Sequence, residues 1–148
     1  MPEFTKKRLY HTPPNWVPSG ERYFITLCSK PRGFNQLANK TNFDSITKTF
    51  KMYESQNKLY CYICLFMPDH IHTILSLNTN QFKISQIIGS LKSYSAKNLA
   101  VEWQRDFFDH RLRNSKEFAE KLEYIRNNPV RAGLVDNAEA WPFVVEKR

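Results

Sequence analysis

The chain has 148 residues, enough for one domain that builds its own core without disulfide or metal staples. Its 41% hydrophobic and 14% aromatic content excludes a disordered segment, and a formal charge of +8 gives it a surface that draws polyanions without saying which. A run of about 18 apolar residues is absent, which excludes a membrane-spanning helix, and the opening Met-Pro-Glu-Phe-Thr-Lys-Lys-Arg lacks the apolar part of a secretory signal, so the cytoplasm is the expected compartment.

Residues 1–20 hold four of the eight prolines and the cluster Lys6, Lys7 and Arg8, and read as an extended basic arm carrying Tyr10, His11 and Trp16. Residues 21–148 read as a single domain with a short tail. Its first strand is expected at 23–29, closed by Pro31-Arg-Gly33. A helix follows at 43–56, with Ile46, Phe50 and Tyr53 spaced i, i+4, i+7 as its apolar stripe. Two apolar runs, 60–67 and 71–77, are split by Pro68-Asp69 and read as a tight hairpin whose second strand begins with His70. A second helix at 83–101 turns Ile84, Ile87, Ile88, Leu91 and Tyr94 inward and offers Lys83, Lys92, Lys97, Ser90, Ser93 and Asn98 outward. That polar side is either a phosphate-facing surface or a solvated helix face. A fourth strand is expected at 106–112, then a helix from Ser115 to about residue 127, opened by a capping-box-like Asn114 and Glu117.

The order β-α-β-β-α-β plus a helix predicts an α+β, ferredoxin-like antiparallel sheet with two helices on one face. The additional C-terminal helix carries a tyrosine, and residues 138–148 read as a tail folded back on the domain. On the strand at 70–77, His70 and His72 are two apart, so both imidazoles share one face while Ile71 takes the other. Such a pair suits a divalent metal or a phosphate oxygen, or is simply two polar residues on an open sheet face. Cys61 and Cys64 have C-x-x-C spacing, but an odd separation in a regular strand sends the thiols to opposite faces and defeats joint zinc ligation. With Cys28 they read as buried free thiols.

In the last helix Phe118, Leu122 and Ile125 form the buried stripe, and at about 100° per residue Tyr124 lies well off it. Tyr53 and Tyr94 fall on the stripes of their own helices, which leaves Tyr124 as the helical tyrosine that packing does not explain. Asn128, four residues on, occupies nearly the same helix side. Two alternatives stand beside a role at the histidines. Tyr124 also reads as an amphipathic surface residue, and Asn128-Pro129 as the cap of a turn at 129–133.

Together these segments resemble a known family. Phe66-Met-Pro-Asp-His-Ile-His72 is similar to the histidine–hydrophobic–histidine (HUH) motif of single-tyrosine transposases. Trp103-Gln-Arg-Asp-Phe-Phe-Asp-His-Arg-Leu-Arg113 and Glu123-Tyr-Ile-Arg-Asn-Asn-Pro-Val-Arg-Ala-Gly-Leu-Val135 resemble its later motifs, nearest to the REP-associated tyrosine transposase branch. The resemblance implies metal ligation by His70, His72 and Asn128, with Mg²⁺ or Mn²⁺ as cofactor. It implies Tyr124 as nucleophile on single-stranded DNA beside a hairpin, through a 5′-phosphotyrosine intermediate. Imidazole is not the preferred ligand of Mg²⁺, so Mn²⁺ is expected to serve at least as well. Neutral histidines would be needed, so activity is expected to fall below about pH 6.5.

Lys6, Lys7, Arg8, Lys83, Lys92, Lys97, Arg126 and Arg131 are the candidate DNA contacts, and a homodimer and a monomer are both compatible with the resemblance. His110 recurs in a family-like motif, as a structural or DNA-contacting residue before a third metal ligand. Against the transferase stand a domesticated, non-catalytic hairpin binder, a single-stranded RNA binder and a hydrolytic metalloenzyme. The RNA reading lacks the RNP1 run, and the hydrolase reading lacks a carboxylate motif beside the histidines.

Overall fold

The structure, a computed structural model, describes residues 8–9, 13–17 and 21–147, with only the backbone described at 8–9. Lys6, Lys7, Tyr10 and His11 of the expected arm lie outside the described residues. The elements are β1 (Arg8–Leu9), β2 (Glu21–Cys28), α1 (Lys40–Ser55), β3 (Leu59–Phe66), β4 (His70–Leu77), α2 (Ile84–Leu99), β5 (Phe108–Leu112), α3 (Ser115–Arg126), α4 (Asn128–Arg131) and β6 (Val144–Lys147). They form one six-stranded sheet in the order β1-β6-β3-β4-β2-β5. The set β3-β4-β2-β5 is antiparallel throughout, which is the ferredoxin-like α+β arrangement expected.

Alternation along the strands sorts the core onto two faces. Ile25, Leu27, Ile71 and Leu75 pack with Phe43, Ile46, Phe50 and Tyr53 of α1 and with Ile87, Ile88 and Leu91 of α2. Phe24, Ile63, Leu65, Ile74 and Leu112 pack on the other face with Ile125 of α3 and with Trp141, joined by Phe118 and Leu122. Each fully buried side chain of this size stabilises the fold by about 1.5–3 kcal/mol, so both layers are strongly held to the sheet.

Helix α1 starts three residues before the apolar pattern does, because the Asn39 side chain accepts a hydrogen bond from the Asn42 N–H at 2.9 Å and caps it. In α2 the inward position is Ser95, fully buried, and not Tyr94, which is 37% exposed. Ser95 Oγ accepts from Trp103 Nε1 at 2.8 Å, while the Tyr94 hydroxyl meets Ser45 Oγ at 2.8 Å on the outside. Tyr124 is therefore not alone in escaping its helix's packing.

Three further findings depart from the expected elements. The register of β3 against β4 shifts between Cys61 and Ile63, a bulge that puts both Cys61 and Cys64 on the face covered by α1 and α2. The two thiols therefore share a face, and both are buried. Strand β5 starts at Phe108, because the carbonyls of Gln104, Arg105 and Asp106 all accept from Lys92 Nζ, at 2.9–3.3 Å. The expected tail includes a strand, β6, antiparallel to β3 and parallel to β1.

Candidate active site

The hairpin between β3 and β4 closes in two residues, Pro68 and Asp69, with the Met67 N–H donating to the His70 carbonyl at 2.8 Å. The loop after β2 grips this turn. Gln36 and Leu37 N–H groups donate to the Pro68 carbonyl, and the Ser29 N–H to that of Asp69. His70 and His72 then stand at the start of β4 with ring centroids 4.7 Å apart, on the face that carries α3.

Each imidazole is held at Nδ1. His70 Nδ1 is 2.8 Å from Asp69 Oδ1, and His72 Nδ1 is 2.9 Å from Thr26 Oγ1 on the neighbouring strand. When each Nδ1–H donates to its oxygen, the lone pair falls on Nε2, the tautomer a metal ligand needs. Asp69 itself is fixed by three more donors: Arg32 Nε at 2.9 Å, Arg32 Nη2 at 3.4 Å and the Gly33 N–H at 2.8 Å. Gly33 adopts φ +90°, a conformation that brings its N–H to the carboxylate without steric cost. Burial alone would raise the Asp69 carboxyl, but the hydrogen bonds from Arg32, His70 and Gly33 outweigh it and hold it well below the usual carboxylate range.

His72 is 6% exposed, and burial, reinforced by the charges of His70, Arg131, Lys121 and Arg32, pushes it down to about 3. It is therefore neutral across the ordinary working range, and the acid limit near pH 6.5 expected of an ordinary imidazole does not apply to it. Its ring stacks on Phe24 at 5.4 Å and meets the Tyr124 ring edge-on at 5.7 Å. Tyr124, 43% exposed, stands over the histidine pair from α3 of the same chain. Arg131 lies 4.2 Å above the Tyr124 ring and donates to the Tyr124 carbonyl, while Lys121 Nζ lies 5.3 Å from the ring. Two imidazoles, a phenol and three cations thus surround one spot, a combination suited to a phosphate and a nucleophile.

Residues 20–128 match the family model described as "Transposase IS200 like". The chain belongs to the IS200-like transposase family. It is 30% identical over 142 residues to a Haemophilus influenzae protein named "Putative REP-associated tyrosine transposase", covering 84% of this chain and 78% of that one. A REP-associated tyrosine transposase of Escherichia coli is 33% identical over 79 residues, covering 52% of this chain and 48% of its own. The solved structure of a REP-associated tyrosine transposase bound to a REP hairpin superposes with a TM-score of 0.76 over 94% of this chain and 81% of that one; at 23% identity this shows the fold.

Within this family fold the candidate residues separate into groups. His70, His72 and Tyr124 come together. Asn128 opens α4, half-buried, four residues beyond Tyr124, where the helix breaks at Asn127 and resumes with Pro129 in its first turn. Among the described residues no three His, Cys, Asp or Glu side chains cluster as a metal site.

Two candidate DNA contacts are otherwise engaged. Lys92 spends its ammonium on three carbonyls, and burial lowers its pKa. Arg126 forks onto Glu146 of β6 and also pairs with Glu123 at 3.0 Å. Lys83 and Lys97 are exposed, but α2 lies across the sheet from the histidines. Arg131 remains at the site. His110 of β5 lies 3.7 Å from Glu117, which joins the sheet edge to the start of α3.

Asp69, Arg32, Thr26 and Lys121 were not singled out from sequence. Lys121 had a readable signal, since i and i+3 place it on the side of Tyr124. Thr26 had none, because only strand register sets it opposite His72.

Proposed function

We infer that this chain is a DNA strand transferase that cleaves and rejoins single-stranded DNA beside a hairpin, with Tyr124 as nucleophile. The observation that carries the reading is the contact of Tyr124 with His72 inside one chain, at 5.7 Å between ring centroids. The hairpin is carried over from the REP-hairpin complex of the structural neighbour. The Tyr124 oxygen attacks the phosphorus and the P–O3′ bond breaks. The phenolic proton leaves, the departing strand ends as a 3′-hydroxyl, and the 5′-phosphate stays on tyrosine. Attack by another 3′-hydroxyl reverses the exchange, so joining needs no ATP.

The donor types suit a divalent ion, which His70 and His72 would hold through Nε2 and Asn128 through its amide oxygen. Bound there, Mg²⁺ or Mn²⁺ would supply Lewis-acid polarisation of a non-bridging phosphate oxygen. Arg131 and Lys121 bind and orient the phosphodiester, while Arg32 holds Asp69 and through it His70. The working compartment on this reading is the cytoplasm, with nucleoid DNA as substrate.

The test is a denaturing gel of a labelled hairpin oligonucleotide library with Mn²⁺ or Mg²⁺. Wild type yields a metal-dependent, protease-sensitive adduct, and Tyr124→Phe yields none. Tight hairpin binding with no adduct under either metal overturns the reading in favour of a non-catalytic hairpin binder.

A further inference from the structure

Phe108 opens β5 at the edge of the sheet, opposite Thr26 in register, and so shares the face of His72 and Tyr124. It is 57% exposed, whereas Phe24 beside it is 4% exposed. The Phe108 ring meets Phe24 edge-on at 6.0 Å. Phe24 stacks on His72, and His72 touches His70, so an unbroken run of rings leads from the histidine pair to solvent. Tyr124 closes on this run from above, 6.1 Å from Phe24. Lys121 Nζ sits 4.9 Å from the Phe24 ring, which puts a cation at the rim of the same patch.

A large exposed aromatic on an edge strand is an association liability unless it has an occupant. The surroundings specify one. An exposed apolar ring at the end of a run whose inner members carry the Lys121 ammonium, over Phe24, and the Arg131 guanidinium, over Tyr124, matches an unpaired nucleobase joined to its phosphate. We propose that Phe108 is the stacking platform for the base of the nucleotide flanking the phosphate that Tyr124 attacks, with Lys121 holding the adjoining backbone. This rests on the strand-transfer reading and adds the residue that sets which nucleotide is presented. The base must be unpaired to expose its ring, so the platform selects single strands over duplex. Stacking tolerates any base, so it positions the strand without fixing its sequence.

The test uses the full chain in EDTA, which separates binding from cleavage. A hairpin oligonucleotide selected from a library by binding carries 2-aminopurine at successive single-stranded positions. Wild type quenches the fluorescence at one position. Phe108→Ala removes that quenching and weakens binding roughly 5- to 150-fold, the equivalent of one base stack. Phe108→Trp retains both. An abasic nucleotide at that position erases the difference between wild type and Phe108→Ala.

Equal quenching in Phe108→Ala overturns the proposal, as does a binding loss that persists with the abasic strand. A change of oligomeric state in Phe108→Ala with quenching intact also overturns it, since the ring would then cover a second copy of the chain. The two readings fail separately. Adduct formation without position-specific quenching removes the platform and leaves strand transfer, whereas quenching without an adduct does the reverse.

Discussion

Replacing Asp69 by Asn tests whether the turn carboxylate sets the tautomer of His70, the imidazole proposed to hold a metal. The carboxylate accepts from His70 Nδ1, Arg32 Nε, Arg32 Nη2 and the Gly33 N–H, and is 15% exposed. Asparagine keeps the shape but brings an NH₂ that must face either donors or His70. Facing Arg32 and Gly33, it opposes like groups. Facing His70, it forces Nδ1 to accept and moves the proton to Nε2, which removes the lone pair a metal needs. Partners that orient a ligating histidine in this way typically hold 10- to 100-fold in metal affinity, or about 1.4–2.7 kcal/mol. The loss of stability should be about 1 kcal/mol, at the low end for a buried hydrogen-bond network, because the Arg32 side chain is 52% exposed and recovers water. Mn²⁺ titration of the DNA-free chain by calorimetry reads the first quantity, and the urea midpoint the second. In a His70→Ala background the effect of Asp69→Asn on metal affinity should vanish. Wild-type Mn²⁺ affinity in folded Asp69→Asn refutes the reasoning, and so does an undiminished effect without His70.

His72 makes the metal-free protein acid-labile. An imidazole that titrates near 6.5 when unfolded and about 3 when folded takes up its proton on unfolding between those values, so its stability contribution is complete above pH 6.5 and falls as pH drops. By pH 4 the loss should be on the order of 3 kcal/mol, read as a steeper decline in the urea midpoint for wild type than for His72→Gln in EDTA; parallel declines refute it. The arginines near Tyr124 should separate by role. Arg131→Ala reduces the salt slope of DNA binding by about 1, whereas Arg126→Ala leaves it unchanged and costs about 1 kcal/mol of stability, a figure kept low because Arg126 is 37% exposed. A reduced salt slope in Arg126→Ala refutes that division.

What could be read before folding was whatever is written in local period. The strand alternation, the helix stripe of Ile46, Phe50 and Tyr53, the two-residue turn and the shared face of His70 and His72 are all set by residues within one element. The missed features depend on partners far away in sequence. The bulge after Cys61 is a one-residue register shift of β3 against β4, and it inverts the thiol geometry a regular strand predicts. Lys92 looked solvent-facing because nothing local says that three carbonyls of the 104–106 loop will converge on it. Arg126 looked like a phosphate ligand because Glu146 is twenty residues away and becomes a neighbour only when β6 joins the sheet. Tyr94 and Ser95 differ by one helix position, and the Trp103 indole decides which of them turns inward.

Strand β6 also explains how a phenol at position 124 and an imidazole pair at 70 and 72 keep a common geometry. Four residues reading Val-Val-Glu-Lys have little strand signal of their own, and they pair because the outer edge of β3 is open to them. The segment leading into β6 grips the end of β3 next to the hairpin. Trp141 Nε1 donates to the Phe66 carbonyl at 3.0 Å, and the Phe66 N–H donates to the Phe143 carbonyl at 2.9 Å. Its far end holds α3 through Glu146 and Arg126. The turn that carries Asp69 and the helix that carries Tyr124 are thus tied to the same short piece of chain. A side chain in α3 positioned only by its own apolar stripe could slide along the sheet, since dispersion contacts are individually weak and non-directional. A forked guanidinium–carboxylate pair is directional, and it fixes the helix in rotation as well as in height. The expected tail is therefore the brace that keeps the phenol over the imidazoles.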